Sequence, residues 1–470
     1  MKDRIKIAYL GGGSRNWART FMIDLAKENA FHADVYLYDI NYPAAKDNQV
    51  IANRLFGRED VVGKHCFIAV ETLKEALLDA DFVVISVLPG TFKEMHSDVH
   101  TPEKYGIYQS VGDTSGPGGI LRALRTVPIF KEFAEAIKEY CPKAWVINYT
   151  NPMSMSVKTL YEVFPEIKAL GCCHEVFSTQ SLLAYALRWD KNVSISRKEV
   201  KINVSGINHF TWITEARYGE YDILESYKKF VDAHYETGVQ TDENYHWKTN
   251  PMVGFHRVKF DLYRRFGAVA AAGDRHLAEF CPGDWYLKSP EQVHEWCFGL
   301  TSVDYREKEL GNRLESTRKL VAGEEEIRVG NTGEEGVMLI KAICGYGDVV
   351  TNCNLPNRGQ AEGFADGAIV ETNAVFSADS VKPVCAGRLP DGAHELAYRV
   401  SQQQTRVVKA ILRYDYDEVF DCFANDVLVT IDRADARKLY LEMIDNTKAY
   451  IPYADEYLKK SGYDSTKDNK

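Results

Sequence analysis

Apolar and polar residues alternate along the first 190 positions in a rhythm that switches repeatedly between strand and helix. A short apolar run over residues 5–10 predicts a strand, apolar residues at helical spacing over 17–27 predict a helix, and a second strand ends at Tyr38. The alternation continues, with helices predicted over 72–78, 130–140 and 155–163 and strands over 82–88, 145–149 and 167–172. Strands that alternate with helices in this way are typical of a doubly wound parallel sheet.

The rhythm changes after about residue 188. One more strand is predicted over 200–204, and the helical patterns that follow cover 221–235, 253–266, 337–342, 396–412 and 434–443. We therefore predict an α/β chain of two domains: a Rossmann-type doubly wound parallel sheet over residues 1–195, and a mixed, helix-rich α+β domain over residues 196–460. The expected architecture is like that of lactate and malate dehydrogenases.

Composition narrows the class of protein. The chain has 470 residues, of which 45% are hydrophobic, and its 57 basic and 67 acidic residues give a net charge of -10. This charge disfavours binding to nucleic acid, and no apolar run approaches the roughly 20 residues that cross a bilayer. With no pattern of a secretory signal, the ten cysteines are expected to be reduced thiols in a cytoplasmic protein.

A glycine-rich turn follows the first predicted strand. Gly11, Gly12, Gly13 and Ser14 stand where a dinucleotide-binding turn lets the backbone approach a pyrophosphate, although Asn16 replaces the usual third glycine. Asp39 closes the second strand, where a carboxylate accepts hydrogen bonds from a ribose diol and repels a 2′-phosphate. The pattern favours NAD over NADP. The alternatives are a turn that binds no nucleotide and an acid that only ends a strand.

One cysteine and one histidine follow later strands. Cys173 comes after the strand predicted over 167–172, and His209 follows the strand over 200–204. A thiolate and an imidazole can hold a divalent ion and leave open positions for a substrate, and their softness suggests zinc or ferrous iron. The alternative is a buried cysteine and a hydrogen-bonded core histidine.

Two further segments combine small and ionisable residues. Residues 112–119 read GDTSGPGG and are expected to form a loop whose backbone approaches a ligand, or else a long surface turn. Residues 273–279 read GDRHLAE and suggest a loop of a binding site, or else a solvated helix start that Asp274 caps.

Together these motifs resemble glycoside hydrolase family 4, whose members are glycosidases that require NAD and a divalent metal. The resemblance is carried by GGGS at 11–14, GDTSGPGG at 112–119, NYTNP at 148–152, CHEV at 173–176, GINH at 206–209 and GDRHLAE at 273–279. Within the family, IYQSVGD at 107–113, GCCHEVF at 171–177 and HFTW at 209–212 are most similar to the bacterial α-galacturonidases.

The resemblance implies a mechanism unlike hydrolysis by two carboxylates. NAD oxidises C3 of the sugar, the C2 proton is removed, the glycosidic oxygen leaves by elimination, water adds at C1, and the hydride returns. It also implies the roles of four residues: Cys173 and His209 as ligands of Mn²⁺, the usual ion of the family, His174 as proton donor to the departing oxygen, and Asn151 as a substrate contact. Cys172 is expected to be a bystander.

The base that removes the C2 proton is less well defined by the resemblance. Many members carry a tyrosine near residues 272–280, whereas this chain has Asp274, which we expect to be the base, with His276 or Tyr286 as alternatives. Asp113 corresponds to an acid near the base.

The expected substrate is a small-molecule α-galacturonide, and the expected assembly is a homo-oligomer, a dimer or a tetramer. A uronate needs a cationic partner, for which Arg122, Arg125, Arg275 and Arg306 are candidates. An α-glucosidase or α-glucuronidase of the same family is the nearest alternative function. An NAD-dependent hydroxy-acid dehydrogenase is less consistent with the pair of Cys173 and His209, and a sensor that only binds NAD has no use for the polar loop at 273–279.

Overall fold

The first part of the chain alternates strands and helices in a computed structural model that describes residues 4–463. The strands are β1 (Arg4–Leu10), β2 (His32–Tyr38), β3 (Cys66–Val70), β4 (Phe82–Ile85), β5 (Trp145–Asn148) and β6 (Lys168–Gly171). The helices are α1 (Trp17–Ala26), α2 (Tyr42–Phe56), α3 (Leu73–Leu77), α4 (Phe92–His100), α5 (Gly116–Tyr140), α6 (Met153–Val163) and α7 (Glu175–Lys191). All neighbouring pairs among these six strands are parallel.

The middle part forms a smaller sheet and a set of helices. Its strands are β7 (Lys201–Ile207), β8 (Phe210–Tyr218), β9 (Tyr221–Asp222) and β10 (Val269–Ala270), which pair antiparallel. Its helices are α8 (Ile223–His234), α9 (Arg257–Phe266), α10 (Asp274–Ala278), α11 (Gly283–Tyr286), α12 (Pro290–Glu295) and α13 (Val303–Ala322). The tight turn between β7 and β8 carries Asn208 and His209.

The last part returns to the first sheet before it ends in helices. It contains α14 (Gly336–Ile343), β11 (Val349–Pro356), β12 (Ala361–Glu362), β13 (Ile369–Ser377), β14 (Ser380–Pro383), β15 (Gly387–Arg388), α15 (Asp391–Leu412), α16 (Tyr416–Ala424), α17 (Arg433–Thr447) and α18 (Ala454–Lys460). Short 3₁₀ turns lie at Pro102–Tyr105, Arg197–Glu199 and Lys448–Tyr450.

The large sheet therefore draws on both halves of the chain. In residues 4–463 it has nine strands in the order β14-β13-β11-β6-β5-β4-β1-β2-β3. The parallel part has the order 3-2-1-4-5-6 of a doubly wound nucleotide-binding fold, and β11 extends it antiparallel to β6. The predicted Rossmann-type sheet is confirmed. The antiparallel edge was not predicted, and the boundary at residue 195 stays a prediction.

Apolar side chains fill both faces of the large sheet. One face packs against α1, α2 and α14, through residues such as Leu25, Leu55 and Ile340, and the other packs against α5 and α6. Within the described residues, no helix is long and apolar enough to cross a membrane.

The loop predicted over residues 112–119 is shorter in the structure. It ends at Ser115, and α5 begins at Gly116, fourteen residues before the predicted start of a helix at Phe130. Pro117 fits the first turn of a helix, where its missing N–H costs no hydrogen bond. The glycines at 116, 118 and 119 are needed for close packing: a Cβ on Gly118 or Gly119 would lie 2.6 Å or 2.5 Å from backbone atoms of the preceding loop.

Candidate functional site

The glycine turn after β1 is held tightly against two strands. The N–H groups of Gly11 and Gly12 both donate to the carbonyl oxygen of Tyr38, at 2.9 Å. Gly11 has φ +96°, and a Cβ there would lie 2.0 Å from the carbonyl oxygen of Ser86, at the end of β4. Only glycine fits such a position, so the turn keeps its backbone open at the carboxyl edge of the sheet.

The Asp39 carboxylate lies against this turn. Its Oδ2 accepts the N–H of Gly13 at 2.9 Å, and its Oδ1 accepts the N–H of Asn41 at 2.8 Å. Asn48 supports the turn from α2, donating to the carbonyl oxygens of Gly12 and Ser14. The residues predicted to bind a nucleotide, Gly11 to Ser14 and Asp39, are thus brought together.

Cys173 and His209 lie on neighbouring parts of the site, both buried. Cys173 follows β6, and its thiol lies beside the fully buried amide of Asn208, whose side chain makes no hydrogen bond of ordinary geometry. Burial raises the pKa of Cys173 well above its ordinary value, and the carboxylates of Glu371 and Glu175 raise it further. This thiol therefore ionises only next to a cation.

Burial and the adjacent His276 lower the pKa of His209 to about 3, so its imidazole is neutral. The ring centroids of the two histidines are 4.0 Å apart, and Nδ1 of His209 lies 3.2 Å from the Thr114 hydroxyl. A neutral imidazole is the form that binds a metal ion.

Glu175, the first residue of α7, connects this pair of histidines to the loop at 273–279. Its Oε2 accepts the N–H of Gly273 at 2.9 Å, and its Oε1 lies 3.5 Å from Nε2 of His276. Burial would raise the pKa of Glu175, but the neighbouring His276 and His174 hold it well below its usual range. The site thus contains an ionised carboxylate between three imidazoles.

Asp113 is the acidic centre of the loop that precedes α5. Burial would raise the pKa of this carboxyl, but the guanidinium charges of Arg122 and Arg306 hold it well below its usual range. Its Oδ1 also accepts the Thr114 hydroxyl at 2.7 Å. Asp113 is therefore ionised and faces both the histidine pair and the arginines.

Glu279 is a second carboxyl next to this loop. It is fully buried, and its Oε1 accepts the N–H groups of Val111 and Gly112 at 2.7 Å and 2.9 Å. Burial raises the pKa of Glu279 to about 8 despite these hydrogen bonds. The group is accordingly protonated at neutral pH and adds no negative charge to the site.

His174, next to Cys173, pairs with a residue that sequence reasoning did not find. Its Nδ1 lies 3.0 Å from Oε1 of Glu334, in the segment that leads into α14. Burial lowers the pKa of His174, but the hydrogen bond that its imidazole donates to Glu334 and the charge of Glu175 outweigh this effect, so the net pKa is raised. The pair with Glu334 therefore favours the protonated imidazole.

Asp274 lies at the first turn of α10 and is 2% exposed. Its Oδ1 accepts the N–H of Lys259 at 3.1 Å, at the start of α9, whereas its Oδ2 is buried without a partner. Burial raises the pKa of Asp274 to about 6. This carboxyl is buried, in contrast to the solvated cap that was the alternative, and its contacts belong to α9 instead of to Cys173 and His209.

Tyr286 is held elsewhere. Its hydroxyl donates to Oδ2 of Asp261 at 2.5 Å, and its ring packs against Trp296 in the core of the middle part.

Asn151 belongs to the candidate site. Its backbone carbonyl accepts a hydrogen bond from Nε of Arg122 at 3.1 Å, and its side-chain Oδ1 is buried without a partner.

Glu371 and Glu334 are site residues that sequence reasoning missed entirely. Glu371, on β13, accepts the Thr211 hydroxyl at 2.9 Å and the Asn352 amide at 2.6 Å, and Asn352 also donates to the carbonyl of Cys173. Neither glutamate stands in a motif, so no local signal could have found it. Within residues 4–463, no group of three or more His, Cys, Asp or Glu side chains is arranged to hold a metal ion by itself.

Two family models match this chain. Residues 6–189 match the model described as family 4 glycosyl hydrolase, and residues 204–429 match the model of the C-terminal domain of that family. A curated α-galacturonidase from Thermoanaerobacterium saccharolyticum is 58% identical over 448 residues, which are 95% of this chain and 96% of that protein.

Solved structures share the fold. A Bacillus subtilis protein described as the glucosidase lplD has a TM-score of 0.90 and 47% identity, and the match covers 94% of this chain and 99% of that one. A 6-phospho-α-glucosidase from gut microorganisms, solved in complex with NAD and Mn²⁺, has a TM-score of 0.78 and 19% identity, with 96% and 99% coverage. At that identity the second match shows the fold alone.

Proposed function

Because this chain belongs to family 4 of the glycosyl hydrolases, we propose that it cleaves α-galacturonides with NAD and a divalent metal ion, Mn²⁺ first among the candidates. The observation that carries the choice of substrate is the 58% identity, over nearly the whole chain, to an α-galacturonidase. The buried and partly buried arginines around Asp113 support it, because a uronate carries the negative charge that such a site favours.

Gly11, Gly12, Gly13, Ser14 and Asp39 form the proposed NAD site. The glycine turn leaves the space that a Cβ would fill, and the Asp39 carboxylate is fixed at the end of β2 by two backbone N–H groups. A carboxylate there favours a ribose diol and repels a 2′-phosphate, so NAD fits better than NADP. When bound, NAD supplies the reversible oxidation of C3 of the sugar.

Cys173 and His209 are the proposed metal ligands. A thiol that needs a cation to ionise and a neutral imidazole fit a divalent transition ion, and the unpartnered Asn208 amide lies next to the thiol. Two protein ligands leave positions for sugar oxygens, where the ion supplies Lewis acidity when bound. Asn352, which also donates to Glu371, donates to the backbone carbonyl of Cys173 and would fix the position of this ligand.

His174 is the proposed proton donor to the departing glycosidic oxygen. The ion pair with Glu334 raises the pKa of His174, which keeps the imidazole protonated until the leaving group takes the proton. Asn151 is the proposed substrate contact, because its Oδ1 is buried and free to accept a hydroxyl of the sugar.

Asp274 is the proposed base that removes the C2 proton, with Asp113 as an acid near it. The buried Oδ2 of Asp274 has no hydrogen-bond donor, and a pKa of about 6 is close to that of a base that works near neutral pH. Since the Asp274 contacts face α9, this role requires the loop at 273–279 to turn the carboxyl toward the substrate.

Turnover in D₂O tests the proposed reaction. Direct displacement at C1 leaves the C2–H bond intact, whereas oxidation at C3 followed by elimination must break it. With 4-nitrophenyl α-galacturonide, NAD, Mn²⁺ and a thiol reductant, the released sugar is expected to carry deuterium at C2, detected by NMR, with no net accumulation of NADH. Protium alone at C2 after complete turnover would exclude the elimination route.

The same assay separates the candidate bases. Asp274→Asn is expected to suppress C2 exchange, and His276→Gln serves as the matched variant from the same loop. Loss of exchange in the His276 variant with normal exchange in the Asp274 variant would move the role of base to His276. A panel of α-galactosides, α-glucosides and α-glucuronides measured beside the galacturonide would overturn the proposed substrate if a neutral sugar were preferred.

We also propose that the enzyme works in a reducing, cytoplasmic environment as a homo-oligomer. All ten cysteines are free thiols, which supports the first part. The oligomeric state is a prediction from the family resemblance.

A further inference from the structure

The four arginines that could meet a uronate are not equivalent in the structure. Arg125 is fully buried in an ion pair with Asp98, its Nη2 lying 2.5 Å and its Nη1 3.1 Å from the two carboxylate oxygens. Both charges are satisfied inside the protein. Arg125 is therefore a structural residue, because both terminal nitrogens of its guanidinium already donate to Asp98.

Two of the other three arginines have protein partners. Arg122 donates from Nε to the carbonyl oxygen of Asn151 at 3.1 Å, and Nη1 of Arg275 lies 3.4 Å from the Thr301 hydroxyl. These contacts fix the position of each guanidinium and use part of its donor set.

Arg306 differs from both. Among the described residues it makes no hydrogen bond or ion pair, and its Nε is buried without a partner. It stands on the second turn of α13, just after the segment in which the Thr301 N–H donates to the carbonyl of Ser110 at 3.0 Å. This contact brings the start of α13 to the loop that carries Asp113.

The charges around Arg306 are unbalanced. The ionisable groups that act on it are Asp113, Arg275, Arg122 and Glu279. Asp113 is ionised, whereas Glu279 is protonated at neutral pH, so one negative charge faces three guanidinium groups. Arg306 as a whole is half-buried, but its Nε is buried without an acceptor, and a buried donor without a partner is costly unless a ligand supplies the acceptor.

We propose that Arg306 recognises the carboxylate of the uronate and thereby sets the preference for α-galacturonides over neutral α-galactosides. The guanidinium can bind a carboxylate with two parallel hydrogen bonds, which a lysine or a neutral side chain cannot reproduce. The inference rests on the proposed function and adds to it the residue that binds the carboxylate of the substrate.

The test compares Arg306→Gln and Arg306→Lys with the wild-type enzyme on three substrates: 4-nitrophenyl α-galacturonide, its methyl ester and 4-nitrophenyl α-galactoside. A hydrogen bond to a charged group corresponds to roughly a 10- to 150-fold change, so the ratio of kcat/KM for galacturonide to that for galactoside is expected to fall by this factor in Arg306→Gln. Arg306→Lys keeps the positive charge but cannot form two parallel hydrogen bonds, so its ratio of kcat/KM values is expected to lie between those of the wild type and Arg306→Gln.

The methyl ester removes the same charge from the substrate. The wild-type enzyme is expected to lose a similar factor on the ester, and Arg306→Gln is expected to discriminate little between acid and ester. Arg318→Gln, an exposed residue of the same helix that pairs with Glu315, is the matched control and should keep the wild-type ratio. Thermal unfolding of each variant checks the fold.

The outcomes distinguish this inference from the proposed function. If the wild-type enzyme prefers the galacturonide and Arg306→Gln keeps that preference within about twofold, Arg306 does not bind the carboxylate. The proposed function would still stand. An equal loss on all three substrates would also overturn the inference, because it indicates a structural role. If the wild-type enzyme does not cleave galacturonides, the proposed function itself fails.

Discussion

Cys172 and Cys173 are neighbours in the chain with buried thiols, yet their surroundings give them different chemistry. Cys172 lies beside Tyr149 and Cys353 in the core of the large sheet, whereas Cys173 lies beside the Asn208 amide and the carboxylates of Glu371 and Glu175. Carboxylates act on both thiols, those of Glu334 and Glu335 on Cys172, but only Cys173 lies beside the turn that carries Asn208 and His209. The position of the nearby imidazole therefore favours Cys173 over Cys172 as the thiol available to a cation.

Exchange of each cysteine for serine tests this difference. Cys173→Ser is expected to lower the content of Mn²⁺ in the purified protein and to abolish glycoside cleavage, because a neutral hydroxyl is a far poorer ligand than a thiolate. Cys172→Ser is the control and should bind metal as the wild type does. Metal content is measured by mass spectrometry after equilibration with limiting Mn²⁺, and equal occupancy in wild type and the Cys173 variant would contradict the assigned ligand.

At the scale of elements, most candidate residues follow a strand by a few positions. The glycine turn begins one residue after β1, Asn151 comes three residues after β5, and Cys173 comes two residues after β6. Because parallel strands place their carboxyl ends at one edge, short connections collect these residues on the same side of the sheet. The turn between β7 and β8 adds His209 from the second sheet.

The glycine turn is the element whose packing is easiest to test. A Cβ on Gly12 would lie 2.6 Å from Cβ and 2.8 Å from Cα of Leu37, so Gly12→Ala must displace β2 or the turn. We expect a loss of about 1–3 kcal/mol in the free energy of unfolding, together with weaker NAD binding by calorimetry.

Gly311→Ala is the matched control. Gly311 is an exposed residue inside α13, and a Cβ there would meet no atom within 4 Å. Alanine should stabilise this helix by about 1 kcal/mol and leave NAD affinity unchanged. A Gly12 variant with wild-type stability and NAD affinity would show that the turn has room to adapt.

At the scale of the whole molecule, the two halves of the sequence share one structure. Strands β11, β13 and β14 complete the sheet that begins with β1, and apolar residues of α14 such as Leu339 and Ile340 pack with Met22 and Leu25 of α1. On α5, Leu121 and Leu124 pack with Val407 of α15. The boundary at residue 195 stays a prediction, because later segments return to the sheet that the first part begins.

A fragment of residues 1–195 tests how independent the first part is. The fragment would expose the edge of β6 and the apolar surfaces that α14 and α15 cover, so we expect it to aggregate or to unfold without a cooperative transition. The full chain is expected to unfold in one thermal transition whose midpoint rises with NAD. A monomeric fragment with a cooperative transition, followed by circular dichroism and gel filtration, would show that the first part folds by itself.

The sequence by itself determined those features that depend on local signals. Apolar periodicity located five of the six parallel strands, all except β3, and the glycine turn with Asp39 indicated a candidate nucleotide-binding edge, because turns and strand ends depend on a few adjacent residues. Motifs in the order of a known family then indicated the enzyme class. Asn151, Cys173, His174 and His209 all stand within such motifs.

Only the tertiary structure decided the partners of these residues. The edge strands escaped prediction because they bury polar side chains, among them Asn352, Asn354 and Glu371, which break the apolar pattern of a core strand. Glu334 meets His174 across 160 positions of sequence, and Arg125, unlike Arg306, is paired with Asp98. Contacts between residues so far apart follow from the packing of whole elements, and no local pattern of residues encodes them.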